Sequence, residues 1–196
     1  MAVNSHDVRD APKNLQKQHL RSLTRAALAS RIWTVSLAIL AASFPLFDSS
    51  PLLLSSTEGG GFFSALSRWD VFHFAHIARD GYTYEHDWAF MPGVPGVMRV
   101  FGAIIRVVKD TALGKQTVAI SLNWEDLVQG GVLAALACHS TGTMYELSLH
   151  HLGTPRLAYV ATLISLLPSS PATLWMVPYT EPFFTYLSYK GSMDPT

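Results

Sequence analysis

Long apolar runs separated by polar and basic stretches set the pattern of this chain. Residues 1–25 are polar and basic, include Pro12 and show no apolar period, so they predict a disordered tail running into the start of a helix. Residues 26–47 predict a first transmembrane helix. Ile32–Phe47 carries no charge, and with Ala26–Ser30 ahead of it and Arg31 placed to snorkel it reaches the roughly 20 residues that a span needs. Residues 93–109 predict a second, weaker span, because Arg99 and Arg106 interrupt it. After a connecting loop, 110–126, the run 127–149 predicts another transmembrane helix, charge-free until Glu146. Its Gly130, Gly131, Ala134, Ala135 and Ala137 are small enough for close helix contact in lipid. Residues 157–180 lack any charge, but Pro168, Pro171 and Pro178 break the run, which predicts a broken or re-entrant helix. Residues 181–196 begin a further helix.

Composition supports lipid as part of the solvent. The chain is 49% hydrophobic and 14% charged, against roughly 25% charged in ordinary soluble domains. Net charge is +0 and no basic stripe with interleaved aromatics occurs, which gives no reason to expect nucleic acid. The single cysteine, Cys138, sits in an apolar run and makes no disulfide framework. Arg9, Lys13, Lys17, Arg21, Arg25 and Arg31 precede the end of the first apolar run, whereas Arg68 and Arg79 are the only such residues in 48–92. By the positive-inside rule the N-terminus is cytosolic and 48–92 lies across the membrane. The fold class read from this pattern is an all-α polytopic membrane protein with a long structured first loop on the far side.

That loop is too long for a structureless connector. It holds Asp48, Glu58, Asp70, Asp80, Glu85 and Asp87, three histidines (His73, His76, His86) and many aromatics. Carboxylates beside aromatic faces suit a sugar site; an amphipathic helix lying on the membrane accounts for the same composition. Within it, residues 69–79 predict a short helix that stops at Gly81, with Asp70 in the first turn, where a helix N-terminus favours negative charge.

The order of motifs adds to this. Phe47-Asp48-Ser49-Ser50 is followed by Trp69-Asp70, the Phe-rich turn VFHFAHIARD, Gly81-Tyr82 with Glu85-His86, Ala89-Phe90-Met91-Pro92-Gly93-Val94-Pro95, and Pro171-Ala172 with Pro178-Tyr179-Thr180-Glu181. Taken in sequence over about residues 25–190, these resemble the GPI mannosyltransferase II family, also called PIG-V. Met91, where that family usually has Phe, and Pro182 directly after Glu181 depart from its pattern. The resemblance implies a GT-C-like helix bundle, of which this chain would be a part, in a multi-pass endoplasmic reticulum membrane protein whose 48–92 loop is luminal. It implies transfer of the second mannose, in an α-1,6 link, from dolichyl-phosphate mannose to the GPI-anchor precursor. No cofactor is implied beyond that donor substrate; a membrane partner subunit is compatible with it. Asp70 best matches the family's essential first-loop acid.

Chemistry gives the other residues roles. A β-linked phosphate donor and an α-linked product require one inverting displacement, for which one carboxylate, Asp70, serves as general base. Arg68 is the nearest group to offset the charge of the leaving phosphate. Trp69, Asp48 and Tyr179, which lie in the motifs that carry the resemblance, are with Glu85 and His86 the further substrate-binding candidates it implies; Glu85 and His86 suit acceptor hydroxyls. Glu181 joins them because a carboxylate in an apolar run is expensive in lipid, although it also suits a helix end at the interface. Asp70, His73 and His76 at i, i+3 and i+6 make only a loose metal trio, and no histidine box occurs, so no metal is expected. A GT-C bundle needs more helices than the chain shows, so the expectation is an N-terminal piece of such an enzyme, inactive alone. A noncatalytic membrane partner subunit and a transporter fragment are the alternatives.

Overall fold

Every described element of the computed structural model is a helix, and no strand occurs among the described residues, which are 13–44, 66, 70–114, 122–138, 140–167 and 177–193. Asp48, Arg68, Trp69, Pro168, Pro171 and most of the predicted 48–67 stretch lie outside them.

Helix α1, Lys13–Ala42, is 30 residues long. It starts well before the predicted residue 26. Leu20, Leu23 and Ala27 give the basic segment an apolar stripe; Leu23 is 0% and Ala27 2% exposed. The residues around them (Gln, Lys, Arg, Leu) are good helix formers, so the segment read as a tail is helical from Lys13. Its end agrees with Pro45 in the sequence, which disfavours helical backbone in the residue before it. Lys13–Ala41 is, among the described residues, the one helix long and apolar enough to cross a membrane. Leu28, Ile32, Trp33 and Leu40 remain 57–62% exposed along it.

The chain divides into two compact units. The first contains α1 up to residue 36 and residues 139–172 and 183–196. Besides most of the last described helix, its described helices after α1 are α5, Thr141–Leu152, and α6, Pro155–Ser165. They form a tight hairpin. Gly153 (φ +69°) ends α5, its N–H bonding Leu149 O at 3.0 Å, and Pro155 opens α6. Leu23, Tyr145 and Ala158 form the core, with Leu20, Leu149, Tyr159 and Leu166 against it. Polar side chains lock α1 to the hairpin: His19 Nδ1 meets Tyr145 OH at 3.0 Å, Ser22 Oγ meets Tyr159 OH at 2.9 Å, and Ser30 Oγ donates to Leu166 O at 3.0 Å.

The second unit contains residues 37–138 and 173–182. It holds α2, Asp70–Asp80, a 3-10 turn η1, Glu85–Ala89, then α3, Gly93–Ala112, and α4, Trp124–Ala137. The small residues expected at a close helix contact are used as such. A Cβ added to Gly130 would overlap the backbone of Gly102 and Phe101, and one added to Gly102 would sit 3.1 Å from Asp126 O. A Cβ on Gly131 would overlap Pro178 and reach Met98 at 2.9 Å. α3 is 20 residues long, enough to span by length, yet it is the charged side chains that explain its place. Arg106 donates to Asp110 at 3.2 Å and to Asp126 at 3.4 Å, and Lys109 donates to Asp126 at 2.8 Å.

The predicted span 127–149 is two helices, not one. α4 ends at Ala137 after 14 residues and α5 begins at Thr141 and runs for 12. Ser140, Thr141, Gly142 and Thr143 follow Cys138, and Ser, Thr and Gly are weak helix formers whose hydroxyls compete for backbone groups. The final helix, α7, Thr180–Gly191, starts at the residue before Glu181.

Candidate functional site

The predicted loop helix exists as α2, and Gly81 stops it. Gly81 has φ +82°, and its N–H returns to Ile77 O at 2.9 Å. Val71, Phe74, Ala75, Ile77 and Ala78 face inward, the spacing of one buried stripe. Trp124, at the start of α4, holds the other side. Phe72 stacks on it at 5.9 Å, and the Arg79 guanidinium lies 4.1 Å from its ring centre while also pairing with Asp80 at 2.8 Å.

After Gly81 the chain folds back over α2. Tyr82 OH donates to Phe90 O at 2.8 Å, and its ring stacks on Trp88 at 4.6 Å. Phe90 in turn stacks on His73 at 4.8 Å and meets Phe74 edge-on at 5.3 Å. His76 bridges helix and turn, with Nδ1 3.2 Å from Asp80 and Nε2 2.9 Å from Thr83 Oγ1. Tyr84 stacks against both His76 and His86, at 5.7 Å and 5.5 Å. The result is a shelf of imidazole and phenol rings on the α2–η1 hairpin.

Asp87 organises this turn. It is 0% exposed. Its Oδ2 accepts the Tyr84 N–H at 2.9 Å and the Thr83 N–H at 3.1 Å, so it works as the acidic half of a capping box for η1. Burial opposes its ionisation, but those two amides, with His86 and His76 nearby, outweigh it and hold the carboxyl below its ordinary value. Asp80 is held low chiefly by its hydrogen bonds from Arg79. Nothing in the one-dimensional pattern singled out Asp87. The only local signal is an acid three residues after Tyr84, where a capping box would place Ser or Thr first.

Of the sequence-predicted site residues, Asp70 is the exposed first residue of α2. Tyr179 is half-buried, and Asp70 and Glu181 both lie within electrostatic reach of its phenol. Asp70 and Tyr179, more than a hundred residues apart in sequence, are thus within charge–charge range of each other. Glu181 is exposed in the first turn of α7, where a helix N-terminus suits its charge. Glu85 and His86 are exposed on η1, and among the described residues no hydrogen bond or ion pair joins either to Asp70. The arrangement offers carboxylates at two helix starts beside a phenol, and an aromatic shelf of the kind that packs on sugar faces.

Comparison with known proteins agrees with the motif order. Over 169 residues the chain is 34% identical to "GPI mannosyltransferase 2" of Cryptococcus neoformans, covering 85% of this chain and 36% of that protein. It is 35% identical to "GPI alpha-1,6-mannosyltransferase 2" of Mus musculus and 33% identical to that of Homo sapiens, in each case over 67% of this chain and 25% of the relative. The chain therefore spans about a third or less of the length of these curated relatives. No solved structure matches it. The model of the family described as "Mannosyltransferase (PIG-V)" matches residues 18–194. With nearly the whole chain inside that match, and the Trp-Asp, Gly-Tyr and Tyr-Thr-Glu motifs falling within it, the chain belongs to the PIG-V mannosyltransferase family.

Proposed function

We propose that this chain contributes the first-loop part of a mannosyltransferase that adds the second mannose, α-1,6-linked, to the GPI-anchor precursor, using dolichyl-phosphate mannose as donor. The observation that carries the reading is the match of residues 18–194 to the family, with a fungal relative named "GPI mannosyltransferase 2" and a mammalian one named "GPI alpha-1,6-mannosyltransferase 2". The reading places the enzyme in the endoplasmic reticulum membrane as a multi-pass protein, with a cytosolic N-terminus and residues 48–92 in the lumen. A membrane partner subunit is compatible with it.

In this reading the acceptor hydroxyl oxygen attacks the anomeric carbon while the bond from that carbon to the phosphate oxygen breaks. Asp70 takes the hydroxyl proton, and dolichyl phosphate leaves with the electron pair. Phosphate is a good leaving group, so no general acid is needed. Arg68 offsets the departing charge through paired N–H donors. Glu85 and His86 bind acceptor hydroxyls, Trp69 supplies a sugar-stacking face, and Asp48, Tyr179 and Glu181 are further substrate-binding residues.

The test uses a chimaera, because the chain matches only 36% of the fungal relative. Residues 18–194 replace the matched segment of the Cryptococcus neoformans protein, and microsomes are given labelled dolichyl-phosphate mannose with a one-mannose GPI precursor. The expected result is a two-mannose product from the chimaera and none from its Asp70→Asn form. A correctly inserted chimaera that transfers nothing, or an Asp70→Asn form that transfers as well as its parent, overturns the reading.

A further inference from the structure

Three ligand atoms converge where α2 meets η1. His73, His86 and Asp87 each present one, and the three lie within 4.8 Å of one another. The trio is assembled across the Gly81 turn, unlike the Asp70, His73 and His76 spacing along a single helix. Here His76 is engaged with Asp80 and Thr83 instead.

The two oxygens of Asp87 have unequal environments. Oδ2 holds the Thr83 and Tyr84 amides. Oδ1 is buried and has no hydrogen-bond partner. A buried acceptor of this kind is rare and costly unless something fills it. Oδ1 lies 3.5 Å from His86 Nε2. Two ligand atoms on a tetrahedral zinc ion, each about 2.0–2.1 Å from it, are roughly 3.3 Å apart. One edge of the site is thus already at coordinating distance, and the longest needs closure of about 1.5 Å by ring rotation.

The donor set is selective. Two imidazoles and one carboxylate suit a first-row divalent cation better than magnesium or calcium, which prefer all-oxygen ligands. Three protein ligands with one open position is also the arrangement of zinc sites that bind a further oxygen ligand. The rings are held for the task. His73 stacks on Phe90 with an interplanar angle of 14° and meets Phe72 edge-on at 5.5 Å. The His86 side chain is 63% exposed, which gives an ion a way in and leaves the open position toward solvent.

We propose that His73, His86 and Asp87 form a binding site for a first-row divalent cation, zinc fitting best. The proposal is independent of the role given to Asp70, and it makes His86 a metal ligand in place of the acceptor contact given to it above. It is tested on the full chain, purified in detergent without a polyhistidine tag and stripped with chelator, by titration with cobalt(II) and displacement with zinc. The expected result is one cobalt per chain, a visible ligand-field absorption, and loss of that band when zinc is added. His86→Ala and His73→Phe, which keeps the stack on Phe90, each weaken binding by at least about tenfold. The double variant His150→Ala, His151→Ala leaves binding unchanged; thermal melting of each variant verifies that it is folded. No stoichiometric binding by the folded parent chain, binding undiminished in the first two variants, or binding lost with His150 and His151 overturns the proposal.

Discussion

The Asp87 carboxylate and the Tyr84 backbone close the η1 turn on themselves: Oδ2 accepts the Tyr84 N–H at 2.9 Å from a fully buried position. This single side chain shapes the return of the loop over α2. Asp87→Ala is therefore expected to release the Thr83 and Tyr84 amides and raise their hydrogen exchange by roughly tenfold or more. Asp87→Asn keeps an acceptor and should show a smaller rise. Exchange measured by mass spectrometry on peptides spanning 81–90, with α5 and α6 as internal controls, checks both.

The same carboxylate gives the turn an acid sensitivity. Asp87 and Asp80 are both held below the ordinary value of 3.8. A group depressed in the folded state binds protons more readily when unfolded, so its stabilisation is complete above the unfolded value and is lost as pH falls through the folded one. Melting temperature is expected to be flat with respect to these two groups above about pH 5 and to fall below about pH 3.8. Asp87→Asn should flatten part of that fall. Melts across this range in detergent, parent against variant, provide the check.

Sequence and structure agree where short-range rules decide. The apolar stripe from Val71 to Ala78 and the left-handed Gly81 made α2 legible, and the small Gly130 and Gly131 announced a close contact. They part where long-range packing or polar competition decides. Trp124 gained its role only by meeting Phe72 and Arg79 from another helix. The Ser140–Thr143 run split an apolar stretch that hydropathy alone reads as continuous. Leu23 was hidden among basic residues until Tyr145 and Ala158 packed on it. Asp87 was one acid among several in a polar loop, because burial, which distinguishes it, is not a local property.

Gly130 supplies a sharp steric test. Its Cβ position is already occupied by the Gly102 and Phe101 backbone, which cannot rotate away as a side chain would. Gly130→Ala is expected to cost about 2–3 kcal/mol by forcing α3 and α4 apart. Gly142, helical in α5 with nothing within 4 Å of its Cβ position, is the matched control. Gly142→Ala should be neutral or stabilise by up to about 1 kcal/mol through helix propensity. Chemical denaturation of both variants decides between a packed and a loose α3–α4 contact.

Asp126 tests the charges on the same helix pair. Its side chain is 3% exposed and meets both Arg106 and Lys109. Removing it leaves two cations facing an acceptor that is gone, but Lys109 is 39% exposed and can turn toward water. Asp126→Ala should therefore cost about 1–3 kcal/mol, below the full penalty for breaking a buried pair. Lys109→Met, which leaves Arg106 on Asp126, should cost less than half as much. Equal losses in the two variants would contradict this division.

Asp70 and Glu181 both act on the Tyr179 phenol, so kinetics must separate their roles. A general base is one carboxylate in contact with the proton it takes, and its loss typically lowers turnover by about 10²–10⁴-fold. Asp70→Asn in the chimaera is expected to fall in that range in kcat, with KM for dolichyl-phosphate mannose changed little. Glu181→Gln removes a charge at a helix start while keeping its shape, and should act chiefly on KM. Turnover and KM measured for both variants, with membrane insertion verified by protease protection, give the comparison. A kcat loss confined to Glu181→Gln would transfer the base role from α2 to α7; comparable kcat losses in both would mean that the two carboxylates act as a unit around Tyr179.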